Sequence, residues 1–182
     1  MAAATRVLIL PGWQNSGAAH WQSRWQALHG FERVQQADWD WPRRGDWMAQ
    51  LEEAVLADPR PMVLVAHSLG CQLVAAWAAH TGHAAHIRAA LLVAPPDTAR
   101  SDTPPQLSTW RAIVRQRLPF PALMPYSTED PFCSSERALA MAADWGAEAV
   151  SLGDKGHLNG DSGLGDWPEG FDWLQRLREG VR

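Results

Sequence analysis

Pro61-Met62-Val63-Leu64-Val65-Ala66-His67-Ser68-Leu69-Gly70-Cys71 is the stretch that decides the fold. Its first half is uncharged, rich in β-branched residues and opened by proline. That pattern reads as a strand buried on both faces. His67-Ser68 reads as a turn, and Leu69 to His80 as a helix closed near Gly82. A serine between a buried strand and a helix, with small residues two before and two after it, is the pattern of a nucleophile elbow. The usual form has glycine at both flanking positions. Here Ala66 replaces the first, and one added methyl still fits. The plainer alternative is a serine N-cap, but the strand before and the helix after favour the elbow.

Similar runs lie on either side. Val7 to Leu10 is a short apolar run closed by Pro11-Gly12, and Ile87 to Ala94 ends at Pro95-Pro96. Both read as buried strands. Arg33 to Gln36, Pro121 to Tyr126 and Glu148 to Leu152 read as further short strands. Helical spacing places Trp21, Trp25 and Leu28 on one face of a helix over 13–28. A second helix runs from Asp46, as its cap, to about Ala57 with Met48, Leu51 and Val55 on one face. Gln106 to Arg117 reads as helical, Ser134 or Ser135 opens a helix to Trp145, and Trp167-Pro168 opens the last, to Glu179. Strand and helix alternate, which predicts an α/β fold with a mostly parallel sheet, helices on both faces and right-handed crossovers. No repeat or linker divides the chain, so one domain is expected over residues 1–182.

The composition narrows the function. Of 182 residues, 46% are apolar and 20% charged, which argues against disorder. The net charge is −4, so there is no basic excess for phosphate contacts, and nucleic acid is not an expected partner. No apolar run approaches the roughly 18 residues that span a bilayer. The segment from Met1 to Pro11 does not read as a signal peptide, so a cytoplasmic location without membrane association is expected. Cys71 and Cys133 form no framework or metal motif and are expected as buried free thiols; no metal or cofactor is expected. Eleven tryptophans are many, and six fall between Trp13 and Trp47. That density reads as the wall of a surface cleft, with ordinary core packing as the alternative.

A serine hydroxyl needs a base, and the base needs an orienting group. At an elbow of this kind the chain order is serine, acid, histidine. His80, His83 and His86 sit on or just after the elbow helix. His20, His29 and His67 precede the serine, and His67 reads as structural rather than as a second base. His157, in the loop Gly156-His157-Leu158-Asn159, is the one late enough. For the acid, Asp130 follows the Pro121–Tyr126 strand and ranks first, with Glu129, Asp97 and Asp102 as rivals. Asp154 lies too near His157 in sequence. The backbone N–H of Leu69, at a helix start, is one oxyanion donor. The second should come from the loop after the first strand, with Trp13 first and Gln14 second. Arg111, Arg115 and Arg117 read as a solvated basic helix face.

Together these residues resemble the small serine hydrolases of the retinoblastoma-binding protein 9 family, within the α/β-hydrolase superfamily, in their bacterial form. Leu10-Pro11-Gly12-Trp13 with His20-Trp21 resembles its N-terminal block, and Ala66-His67-Ser68-Leu69-Gly70-Cys71 its elbow. Glu129-Asp130-Pro131-Phe132-Cys133 resembles its acid block. Gly156-His157-Leu158-Asn159 and Gly163-Leu164-Gly165-Asp166-Trp167-Pro168-Glu169-Gly170 resemble its histidine block and C-terminal signature. The resemblance implies a triad of Ser68, Asp130 and His157. It also implies a compact α/β-hydrolase fold that starts at the superfamily's third strand, without a large cap domain, acting on small esters or amides. The protein partner in the family name is not carried over, since no L-x-C-x-E motif occurs. Two other uses of this fold stay open: a protein-binding module, and an acyltransferase- or haloperoxidase-like use of the same triad.

Overall fold

The computed structural model describes residues 5–180. Residues 1–4, part of the segment read above as no signal peptide, lie outside them, as do 181 and 182. Six strands form one sheet: β1 (Arg6–Leu10), β2 (Glu32–Arg33), β3 (Met62–His67), β4 (Ile87–Val93), β5 (Ala122–Tyr126) and β6 (Glu148–Ser151). Their order is β2-β1-β3-β4-β5-β6, and every neighbouring pair is parallel. The helices are α1 (Trp21–His29), α2 (Arg44–Leu56), α3 (Leu69–Ala78), α4 (Ser135–Trp145) and α5 (Pro168–Glu179). This is an α/β fold built on one parallel sheet.

Met62 to Ala66 have no accessible surface, so β3 is central and covered on both faces. Alternation along each strand sends one set of side chains to each side. Leu8, Leu64, Ala66 and Leu92 pack with Leu51 and Val55 of α2 and Leu73 and Val74 of α3. Val7, Val63, Val65 and Leu91 pack with Trp21 and Trp25 of α1 and Leu174 of α5. A side chain of this size contributes roughly 1.5–3 kcal/mol when fully buried. Parallel β3 and β4, covered on both sides, therefore read in sequence as unbroken apolar runs.

The chain steps outward from β1 to β2, then returns past β1 to β3. The crevice at the carboxyl ends of β1 and β3 is thus a topological switch point. Gly12 and Ser68 both leave their strands there.

Five local expectations are corrected. The strand expected over Arg33 to Gln36 is the two-residue β2, Glu32–Arg33. The first helix begins at Trp21, not near residue 13, because His20 caps it by accepting the Gln22 N–H, and Leu28 lies 59% exposed, off the buried face. The segment 106–117 is a six-residue 3-10 turn, Pro105–Trp110, followed by irregular chain. Distant groups hold it there: Trp110 Nε1 donates to the Pro42 carbonyl, and Thr98 Oγ1 donates to the Trp110 carbonyl. The three arginines therefore share no helix face; Arg115 pairs with Asp144 at 2.7 Å, and Arg111 donates to the carbonyls of Arg100 and Thr103. Asp46 stands in the first turn of α2 but does not cap it; Arg43 occupies the cap position without a side-chain bond.

Candidate active site

Ser68 is held at φ 54°, ψ −123° between β3 and α3. Such a conformation in a non-glycine residue costs on the order of 1–3 kcal/mol and persists only where the surroundings over-determine it. They do so here. The Ser68 N–H donates to the Val93 carbonyl of β4, and its own carbonyl accepts from Cys71 N–H, both at 2.9 Å. Gly70 lies so close to the end of β1 that a Cβ there would stand 2.3 Å from the Leu10 carbonyl oxygen. Only glycine fits that position. Ala66, two residues before the serine, is buried without strain between Leu10 and Leu92. The alanine-for-glycine departure is therefore harmless.

His157 approaches from the loop after β6. The Ser68 hydroxyl lies 2.8 Å from His157 Nε2, placed to donate to it. His157 Nδ1 donates to both carboxylate oxygens of Asp130, at 3.0 and 2.9 Å. The Asp130 side chain is 3% exposed and that of His157 is 9%. Asp130 also accepts the Phe132 N–H at 2.9 Å, which fixes the carboxylate in its own turn. The rivals for the acid are engaged or out of reach. Asp97 stands beside Arg137, Asp102 pairs with Arg100, and Glu129 is exposed.

Gly12 packs against the elbow. A Cβ there would lie 2.9 Å from Ser68 Cβ and 3.2 Å from the Leu69 nitrogen. That contact brings the start of the loop after β1 to the serine. Among the described residues the backbone N–H groups of Trp13 and Leu69 carry no intramolecular hydrogen bond, whereas that of Gln14 donates to the Trp39 carbonyl at 3.0 Å. Gln14, the second choice for an oxyanion donor, is thereby spent on the fold.

A family model for serine hydrolases matches residues 7–176. The chain belongs to the serine hydrolase family. No curated protein matches this serine hydrolase. Among solved structures it is similar to a protein described as a YdeN-like hydrolase from Pectobacterium atrosepticum, at 26% identity and a TM-score of 0.84 over 96% of this chain and 91% of that one. The ydeN gene product of B. subtilis is 20% identical, with a TM-score of 0.75 over 96% and 99% of the two chains. An esterase, RhEst1 from Rhodococcus, is 13% identical at 0.67, covering 100% and 94%; at that distance the likeness concerns the fold. The chain is thus an α/β-hydrolase-type enzyme.

A cavity of about 290 Å³ opens over Ser68 and His157. Trp13, Pro96, Pro104, Leu107 and Phe132 give it apolar walls, Gln14, Asn15 and Asn159 add amides, and among the described residues no Lys, Arg, Asp or Glu lines it. Phe132 is half exposed at its lip and meets the His157 ring edge-on at 4.6 Å. Trp13 is the one tryptophan of the six in the 13–47 region that lines the cavity. Trp21, Trp25 and Trp47 are core and Trp41 is exposed, so the cleft-wall expectation for this cluster holds for one residue only.

Ser127 went unnoticed in the sequence. Its buried hydroxyl accepts the N–H of Glu129 at 3.3 Å and that of Lys155 at 3.0 Å, tying the loop of Asp130 to the loop of His157. A lone serine carries no signal for such a role. Cys71 and Cys133 are free and buried. Burial pushes both thiols up, Cys133 to about 12 with Asp130 and Asp97 adding to the rise. Neither is a thiolate near neutral pH.

Proposed function

We propose that this serine hydrolase cleaves small, uncharged esters or amides through an acyl-enzyme on Ser68, with Asp130 and His157 as its partners. The observation that carries the reading is the unbroken chain from Ser68 Oγ through the His157 ring to the Asp130 carboxylate. His157 Nε2 takes the hydroxyl proton as Ser68 Oγ bonds to the substrate carbonyl carbon. The tetrahedral oxyanion then collapses, the bond to the leaving group breaks, and His157 returns the proton to that group. Water repeats the sequence: His157 takes its proton, the acyl–Oγ bond breaks, and the serine regains its hydrogen. Asp130 holds the Nδ1–H tautomer and stabilises the imidazolium formed in each half. The N–H groups of Leu69 and Trp13 supply the oxyanion donors, each worth a few kcal/mol in comparable sites.

The cavity supports the substrate class. Its volume lies at or below the low end of the roughly 300–1,000 Å³ usual for ligand sites, which favours short acyl groups. Without a charged lining residue it offers nothing to a carboxylate or ammonium on the substrate. The sequence blocks quoted above support placement beside the retinoblastoma-binding protein 9 relatives within this family.

Labelling with a fluorophosphonate probe tests the reading. Wild type is expected to label, and Ser68→Ala and His157→Ala are not. A p-nitrophenyl ester series should then fall in kcat/KM as the acyl chain lengthens, and a succinyl half-ester should be poor. A folded wild type that neither labels nor cleaves any ester would overturn the proposal and bring the protein-binding reading forward.

A further inference from the structure

Two histidines beside the site take no part in the mechanism above. His20 caps α1, and its Nδ1 accepts the Gln22 N–H at 3.1 Å. Its Nε2 lies 3.2 Å from Nδ1 of His67, and His67 Nε2 lies 2.9 Å from the main-chain carbonyl oxygen of His157. Both rings are about 5% exposed.

The two ends of this chain fix every proton in it. A backbone N–H can only donate, so His20 Nδ1 is an acceptor and the ring proton sits on Nε2. A carbonyl oxygen can only accept, so His67 Nε2 carries a proton. The central contact then has one donor, His20 Nε2, and one acceptor, His67 Nδ1. A second proton on either ring would set N–H against N–H. Both imidazoles are therefore neutral by geometry. Burial acts in the same direction, taking His20 down to about 3, with Arg33 and His157 adding to it, and His67 well below its ordinary value.

We infer that His20 and His67 form a one-directional hydrogen-bond rail that holds the main chain of His157, making His20 a positioning residue for the reaction proposed above. The site needs such a hold. Gly156 and Leu158, on either side of His157, both have left-handed backbone, at φ 59° and 50°. A histidine between two such turns has no regular structure to aim it. The residue after His20 completes the clamp: Trp21 Nε1 donates to the Leu158 carbonyl at 2.8 Å. The rail also keeps charge away. The His67 ring centroid lies 4.8 Å from that of His157, which becomes an imidazolium in each half-reaction. A neutral His67 does not oppose that charge. The titratable groups facing the pair are His157, with Asp130 behind it, and Arg33 beside His20.

The inference rests on the proposed function for its consequence, but its geometry is tested separately. Two-bond 1H–15N correlation spectra of wild type should show His20 and His67 as neutral Nε2–H tautomers from neutral pH to about 5.5. A proton on Nδ1 of either ring, or titration of either in that range, would overturn the rail. This measurement needs no variant, so it stands even where a substitution fails to fold.

For the positioning role, His20→Phe removes the donor and His20→Gln replaces it, since a glutamine amide nitrogen reaches the place of imidazole Nε2. Both lose the Nδ1 cap, so their difference isolates the rail. With p-nitrophenyl acetate, His20→Phe should lower kcat roughly 10- to 100-fold with KM little changed, and His20→Gln should recover most of that loss. Equal kcat in the two variants, or a loss confined to KM, sinks the positioning role. If wild type itself neither labels nor cleaves the ester, the proposed function falls while the spectra still decide the rail.

Discussion

The elbow at Ser68 and the loop at His157 bring two side chains to within 2.8 Å by different means. The elbow is local. A strained serine sits between a strand and a helix that are buried along nearly their whole lengths, and the residues that hold it lie within a few positions or on the adjacent strands. The histidine loop has no regular structure of its own over 152–159. Its position is imported: from Trp21 and the His20–His67 pair on one side, and from Ser127 and Asp130 on the other. The elbow is built by a short stretch of chain, whereas the histidine loop is held from three others, at 20–21, 67 and 127–130.

The contrast predicts how each region breaks. Ser68→Ala should show the largest effect, lowering kcat on the order of 10⁴- to 10⁶-fold while circular dichroism and the melting temperature stay near wild type. Asp130→Asn comes next, at about 10⁴-fold, because the amide favours the wrong imidazole tautomer; kcat against pH on an ester measures it. Gly70→Ala attacks the elbow through packing. Its Cβ would meet the Leu10 carbonyl, so urea melts should show a loss of about 1–3 kcal/mol or more, where the same change at exposed Gly17 should show little.

Smaller effects sharpen the other half of the comparison. Trp21→Phe keeps the ring's apolar bulk but leaves the Leu158 carbonyl unpaired. Stability should fall by about 1–3 kcal/mol, and kcat should fall with it if the histidine loop is held from α1. The buried histidines predict a pH effect on folding. Unfolded His20 takes up a proton near pH 6.5, and folded His20 only near 3. As pH falls between those values the unfolded chain binds the extra proton, and stability drops by about 1.4 kcal/mol per pH unit for such a group. Urea melts at several pH values should show this slope in wild type and a shallower one in His20→Gln.

What was legible in the sequence was whatever neighbouring residues decide. The buried strands β1, β3 and β4, the Ser134 cap and Gly146 stop of α4, and Pro168 at the start of α5 all carry local patterns, and all appear within a residue or so of their expected bounds. Ser68 was singled out by its flanks. His157 and Asp130 were singled out by chain order and by the strand ends they follow, and the geometry joins them. The misses share one cause. The chain after Trp110 is not helical because Pro42, Thr98 and Asp144 hold it from elsewhere, and the tryptophans of 13–47 were read by density although Trp13, Trp21, Trp25 and Trp47 each donate to a different carbonyl.

The C-terminal signature shows where that boundary falls. Its glycines are set by backbone needs that local sequence expresses: Gly163 and Gly165 have φ near 69° and 59°, and a Cβ on Gly170 would strike the Trp167 ring. Yet what those turns accomplish is visible only across the molecule, where Trp25 Nε1 donates to the Asp166 carbonyl and Arg24 pairs with the Asp166 carboxylate at 2.6 Å. Hydrophobic period, turn chemistry and small flanking residues act over a few positions, so they write the α/β order and the elbow at Ser68 directly into the chain. Ring tautomers, loop positions and the uncharged cavity depend on hydrogen bonds between residues as much as 142 positions apart, and only the closed sheet with its packed helices brings those groups within reach.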